Sequence, residues 1–425
     1  MAGYVPTEMV RTPWGNASEL KARKLRPGSG TPREEVERNQ RERLYGAMVA
    51  VVAEKGYEAT TVADLVGLSG VSRSDFYEHF ANKEACALGA LETILRGVKE
   101  IVSASYDGEG SALRAVIELI AEQPATARFC FVDVYTAGPA ATEMIDRATE
   151  PFEGLFAQRL AAKSEAAMPA EIVLAIVGGL RKVIHTRLYR EEERELVALV
   201  DQLRDWGFSY HPPPQPLRAS RRVNVPRQQF DGYTVSQRIA RAVAATVAEK
   251  GYTAMGTDDI AERASISLST FYAHFKNKEE ALLDAIELSG ALILATVRPA
   301  VRRAPDWRAG VRAAYETMCA FLAAEPDFAA LTIAEVYAAG PRALAQRDRI
   351  IDSLQKMLAP GYAEHPETPA VAAEAIGGAI YALLGNQLRS SGPEGLPEVG
   401  SLATYVTLTP FIGPEDACRV ANGAA

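Results

Sequence analysis

Cysteine is scarce in this chain. Cys86, Cys130, Cys319 and Cys418 are the only four in 425 residues, they lie far apart, and no two form a C-x-x-C pair. That spacing argues against a disulfide framework and a cysteine zinc site, and it fits a reducing cytoplasm. Long apolar runs are missing too. The most apolar stretches, 172–180 and 375–384, fall well short of the roughly 20 residues a membrane span needs. Residues 1–20 hold no apolar run ahead of a cleavage-like site, so neither a signal peptide nor a membrane partner is expected. The histidines, cysteines and serines form no metal or nucleophile pattern, and there is no glycine-rich phosphate loop. The expectation is a protein that is not an enzyme and holds no metal or cofactor.

Net positive charge is also lacking. The formal charge of −8 argues, by itself, against a nucleic-acid partner. Its distribution argues the other way. Residues 20–33 carry five basic side chains and no acid, and residues 217–230 carry four and no acid. Each basic run stands just ahead of a long helical pattern. Each reads either as a solvated tail or linker, or as an arm that neutralises phosphate beside a DNA-reading element.

What the chain does have is a long stretch that occurs twice. Residues 52–92 recur as 247–287 at a constant offset of 195, with 20 identities in 41 ungapped positions. Ahead of each copy runs one helical face, Leu44, Ala47, Met48, Val51 and Val52 in the first and Ile239, Ala242, Val243, Thr246 and Val247 in the second. Gly56 and Gly251 are placed to end that helix. Thr61 with Asp64 makes a capping-box pattern for a second helix, and Gly256 with Asp259 holds the same positions. After a tight turn, Ser72 and Ser267 can cap a third helix of about three turns, with Phe76 and Phe80, or Phe271 and Phe275, along one side. The pattern predicts a helix-turn-helix held between two longer helices, twice.

The run Ser-x-Ser-x-Phe-Tyr-x-His-Phe-x-Asn-Lys-Glu, present in both copies, resembles the DNA-binding head of the tetracycline-repressor (TetR) family of bacterial transcriptional regulators. The resemblance covers the two heads directly and the rest by length and helical pattern. It implies an all-α fold with two tandem helix-turn-helix heads, each with a helical regulatory body, arranged as an intramolecular pseudodimer. The divisions expected are a disordered basic arm at 1–35, a first head at 36–84, a first body at 85–208, a proline-rich linker with a basic arm at 209–231, a second head at 232–279 and a second body at 280–425. The bodies repeat with drift: 134–139 and 336–341 match at an offset of 202, and 176–179 and 375–378 at an offset of 199.

Carried over from the family motif, Tyr77, His79 and Lys83, and Tyr272, His274 and Lys278, are the phosphate contacts; Thr61, Ser72, Thr257 and Ser267 stand beside them. A packed, hydrogen-bonded role for His79 and His274 stays open. Base readout should differ between heads, with Arg73, Ser74 and Asp75 on the first helix and Leu268, Ser269 and Thr270 on the second. Arginine can hold guanine, aspartate can accept from cytosine, and leucine or threonine can touch a thymine methyl. Asp75 has a second reading as the partner of Ser72 in a capping box.

Gly178, Gly179, Gly377 and Gly378 lie inside apolar helical stretches, where glycine is best explained by close approach of another helix. In the family the last two helices of each body form a four-helix interface, so these glycines are expected across an intramolecular seam; packing within one body is the other reading. The resemblance implies a small-molecule effector, unidentified, with candidate lining Phe129, Tyr135, Phe152 and Phe156 in the first body and Tyr315, Phe321, Phe328 and Tyr337 in the second. Aromatics at helical spacing also build ordinary cores. The expected function is a ligand-responsive DNA-binding regulator, a repressor, reading an asymmetric or pseudo-palindromic duplex operator as a single chain, with further dimerisation open. The alternative is a sensing or partner-binding protein in which one or both heads no longer bind DNA, supported by the acidic balance and by Asp75 with Glu78.

Overall fold

The computed structural model describes residues 7–25, 30–104, 111–161, 167–220, 223–225, 234–336 and 339–423. Apart from one two-stranded hairpin, every regular element in it is helical. No single helix among the described residues is long and apolar enough to cross a membrane. The chain gathers into two compact units, one of residues 1–151 and 184–201, the other of residues 152–183 and 202–425.

The first unit opens with β1 (Arg11–Thr12) and β2 (Gly15–Asn16), paired antiparallel, and a 3-10 helix over Ala17–Arg23. The stretch expected to be a disordered arm is therefore folded over Thr7–Lys24. Val10, Trp14, Ala17 and Leu20 are buried, and that apolar surface outweighs the polarity of the residues between them. Helix α1 (Arg33–Ala59) follows, broken at Gly56, whose φ of 79° lies in the left-handed region glycine tolerates best. Then come α2 (Val62–Ser69), α3 (Arg73–His79) and α4 (Lys83–Ala104). Thr61 closes a complete capping box with Asp64, so the first of these short helices is held from its N-terminus.

Beyond them run α5 (Ser111–Glu122), α6 (Pro124–Arg128) with a π-helical continuation over Phe129–Asp133, a 3-10 turn over Val134–Ala137, and α7 (Pro139–Ala161). Helices α8 (Ala170–Tyr189) and α9 (Glu195–Gly207) complete the first half of the sequence. The unit division runs through the last three of these helices.

Asp133, at the end of the π-helical turn, is buried 3.5 Å from the Arg128 guanidinium. Burial pushes its carboxyl up to about 6, and Arg128 opposes this only in part. A folded-state value above the unfolded one means that the contribution is fully present below about pH 4 and is lost as pH rises through about 6. Denaturant unfolding of the first unit should therefore become easier between pH 4 and 7, by on the order of 3 kcal/mol. Asp133→Asn should remove that pH dependence; a variant with the parent's profile would contradict the assignment.

The second unit repeats the head as α10 (Val235–Ala254), α11 (Thr257–Arg263), α12 (Leu268–His274) and α13 (Lys278–Arg303). Gly251, with φ 76°, breaks α10 as its counterpart breaks α1. The body follows as α14 (Trp307–Ala324), α15 (Pro326–Ala329) with a π-helical stretch over Ala330–Glu335, α16 (Pro341–Gln355), α17 (Ala359–Glu364), α18 (Ala372–Ser391), a 3-10 helix over Pro393–Glu398, and α19 (Val399–Ala421).

Residues 209–220 of the proline-rich linker have no helix or strand of their own, as their composition dictates, yet they are tied down along α19. Tyr210 is buried and its hydroxyl donates to the Val406 carbonyl (3.0 Å), while Tyr405 donates to the His211 carbonyl (2.7 Å). Asn422 takes the Arg218 N–H (2.7 Å) and donates to the Pro216 carbonyl (3.3 Å).

Small residues decide how α8 meets α18 inside this unit. A Cβ on Gly178 would stand 2.4 Å from Ala382 Cβ, one on Gly179 2.6 Å from the Ala375 carbonyl, and one on Gly378 2.7 Å from the Gly178 carbonyl. Gly377 points the other way, toward Ile351 and Gln355 of α16, because consecutive helical residues are about 100° apart.

Candidate nucleic-acid interface

In each head the third helix is fixed by its buried side and presents the other. Phe76 and Phe271 are wholly buried, while Tyr77 and Tyr272, one residue on, are 49% and 54% exposed. A tyrosine held at that exposure offers solvent both a flat face and a hydroxyl. The helices start cleanly because Ser72 accepts from the Asp75 N–H and Ser267 from the Thr270 N–H, both at 3.1 Å. Arg73, Ser74, Leu268 and Ser269 are exposed in the first turn.

The two faces differ chemically. In the first head, His79 Nε2 lies 2.8 Å from Gln40 Oε1, and Gln40 Nε2 donates to Asp75 Oδ2 at 3.2 Å, so one amide of α1 holds two side chains of α3. Asp75 thus spends its carboxylate on Gln40, and only its backbone N–H on Ser72. Burial, with Arg41 nearby, pulls the His79 pKa down, so a neutral ring with its proton on Nε2 suits this network. In that tautomer Nδ1 is an acceptor, so His79 held by Gln40 has no proton to offer a phosphate oxygen and acts as a packed, hydrogen-bonded residue. In the second head Val235 stands where Gln40 stands in the first, Thr270 replaces Asp75, and His274 is exposed.

Lys83 and Lys278 are tethered at helix ends. Lys83 Nζ donates to the carbonyls of Tyr57 (2.8 Å) and Glu58 (3.3 Å), and lies 4.2 Å from the Tyr57 ring centroid. Lys278 Nζ donates to Tyr252, Thr253 and Met255 at 3.0–3.3 Å. Both therefore cap the helix that precedes the turn. Thr61 is engaged in its capping box, its hydroxyl 2.6 Å from Asp64 Oδ2, whereas Thr257 Oγ1 lies 3.2 Å from the Tyr272 hydroxyl. Those two oxygens form a polar pair across the second head, between the N-terminal end of α11 and the exposed side of α12.

The second unit holds a cavity of about 90 Å³ walled by α13, α14, α16, α18 and the π-helical stretch. Tyr315 lines it, with aliphatic neighbours such as Met318, Ile333, Ile350 and Ile380, and the polar side chains of Arg347, Gln355 and Tyr381. Phe321 and Phe328 do not line it: they are wholly buried core rings, Phe328 within the core shared with α10 and α13. Phe129 and Tyr135 are likewise buried in the first unit, and Phe156 stacks on Phe208 at 5.7 Å. Phe152 is half-buried, and Tyr337 falls outside the described residues. Aromatic rings filled space here, and branched aliphatics left it; periodicity does not separate the two.

The geometry defines a helix-turn-helix head, built twice. Both heads match the family model for bacterial regulatory proteins of the tetR family, at residues 45–90 and 239–286, so two TetR-like segments stand in tandem in the chain. Among relatives, the HTH-type transcriptional activator FasR of Mycolicibacterium smegmatis is 30% identical over 133 residues, which cover 31% of this chain and 58% of FasR. The uncharacterised HTH-type transcriptional regulator YerO of Bacillus subtilis is 38% identical over 53 residues, 12% of this chain and 18% of YerO. The chain thus spans less than two thirds of either relative. Among solved structures, the fatty acid degradation regulator FadR from Bacillus halodurans aligns with 18% identity and a TM-score of 0.39, over 42% of this chain and 97% of FadR.

Proposed function

We propose that this chain is a sequence-specific DNA-binding transcriptional regulator in which one polypeptide supplies both reading heads. The observation that carries this reading is the pair of exposed tyrosines on capped third helices, in two heads of the same family type. Because Arg73, Ser74 and Asp75 face Leu268, Ser269 and Thr270 at matching positions, the two half-sites should differ. A fused pseudodimer makes an asymmetric operator readable without a concentration-dependent assembly step, whereas a homodimer of one head favours a palindrome.

An effector reading rests on the second unit. Thr332 and Ile333 line the cavity, and Tyr381, also in its wall, donates to the Thr332 carbonyl. Three residues on, Glu335 accepts the Tyr252 N–H at 3.0 Å, where α10 breaks at Gly251. A ligand that moves the π-helical stretch would move that cap, and through it the second head. The matching residue in the first unit, Asp133, is one methylene shorter and is paired with Arg128 instead.

Binding of the full chain to its own upstream duplex across a salt series, beside Tyr77→Ala and Tyr272→Ala, tests the reading. Each substitution should weaken binding roughly tenfold, the loss expected for one hydrogen bond to a charged oxygen. If only Tyr272→Ala does so, the first head is structural. A parent chain that shows no salt-dependent binding to any duplex would favour a sensing or partner-binding role.

A further inference from the structure

We infer that the folded N-terminal segment, Thr7–Lys24, is a phosphate-binding clamp belonging to the first head alone. The inference rests on the DNA-binding reading and adds a contact surface outside the helix-turn-helix. Its seat is specific. The Trp14 ring packs 5.3 Å from Tyr45 of α1, and Leu20 fills the space beside Gly46, where a Cβ would come within 2.8 Å of it. The second head has no such seat. Arg241 stands at the position of Gly46, and its guanidinium is paired with Glu325 at 2.9 Å.

The seat places positive charge beside the reading helix. Arg11, Lys21, Arg23 and Lys24 are all exposed, and Glu19 turns aside to take a hydrogen bond from Asn16. The stem of Lys21 lies against Gly70, the residue that ends α2 and opens the turn into α3; a Cβ there would be 2.7 Å from Lys21 Cγ. The Arg23 carbonyl takes a hydrogen bond from Asn39 at 3.2 Å, and the next residue along α1, Gln40, is the one that holds Asp75 and His79. Lys21 therefore lies beside the turn that leads into the recognition helix, and Lys24 is exposed at the end of the same segment.

That charge answers a deficit. The first recognition helix carries Asp75 and Glu78 where the second carries Thr270 and Ala273. Two lysines from the clamp restore what two carboxylates remove, so the first head can approach a duplex.

The test is Lys21→Gln with Lys24→Gln in the full chain, binding a duplex that the parent selects from a random pool. Gln keeps the stem that packs on Gly70, and unchanged thermal unfolding checks that the clamp stays seated. Each lost phosphate contact lowers the salt slope by about 0.9, so the slope should become shallower by nearly two and the affinity change between 50 and 200 mM salt should shrink by roughly tenfold. Arg96→Ala, on α4, should leave the slope as it is. A double variant with the parent's slope overturns the clamp and leaves the DNA-binding reading standing. A parent that retains no duplex from the pool overturns both.

Discussion

Gly378→Val is expected to force α8 and α18 apart and to cost the second unit about 3 kcal/mol or more, the upper end of what overpacking costs in a core. The reason is that the obstacles are backbone and stem atoms. The first atom of a new side chain would stand 2.3 Å from Lys182 Cβ, 2.7 Å from the Gly178 carbonyl and 3.1 Å from Gly179 Cα. None of these can swing away as the end of a flexible side chain would. Gly179 is closed in the same manner by the Ala375 carbonyl and the Trp206 ring. Gly97 of α4 gives the contrast, since a Cβ there meets nothing within 4 Å. Gly97→Ala should stabilise its unit by about 0.5–1 kcal/mol, because alanine loses less backbone freedom on folding. Denaturant midpoints of the two variants beside the parent decide the matter. If Gly378→Val unfolds where the parent does, the two helices are not in backbone contact and the glycines need another explanation.

That contrast shows what the sequence could and could not say. Glycine inside an apolar helix was readable as a sign of close approach, and 178, 179 and 378 do make one. Only the helical phase of each residue assigns it to a face, and Gly377 falls on the face toward Ile351 and Gln355. The heads were legible nearly to the residue because their signals are local: Thr61 with Asp64, Gly56, Ser72, and phenylalanines four apart all act within one or two turns. The N-terminal segment was not legible. Val10, Trp14 and Leu20 are too few to show a period, and their burial depends on Gly46, a residue distant in sequence whose missing side chain makes the room. The cavity was missed for a related reason. Tyr315 was expected in it, but Arg347, Tyr381 and the aliphatic wall come from four helices and the π-helical stretch, whose meeting no local pattern records.

Asp348→Ala should strongly destabilise the second unit, with an expected loss of about 3–5 kcal/mol. Its Oδ2 accepts from Lys182 Nζ at 2.6 Å, and its Oδ1 accepts from Arg347 Nε at 3.0 Å and Nη2 at 2.8 Å. The three side chains are 16%, 6% and 7% exposed, so water cannot replace the carboxylate once it is gone. Each cation would then lose a buried anionic partner, which costs far more than a surface pair contributes. The loss should persist in 1 M salt, where pairs such as Arg96 with Glu92, both more than half exposed, are screened. Replacing the whole cluster, Lys182→Met with Arg347→Met and Asp348→Leu, should recover most of the stability, since no charge is left to desolvate. Recovery would mean that the cluster is retained for what it connects: Lys182 lies on α8 against Gly378, Arg347 lines the cavity, and Asp348 joins them. The recovered triple variant should then fold as the parent does. If instead the triple variant is as unstable as Asp348→Ala, the cluster is holding the fold together by its own hydrogen bonds.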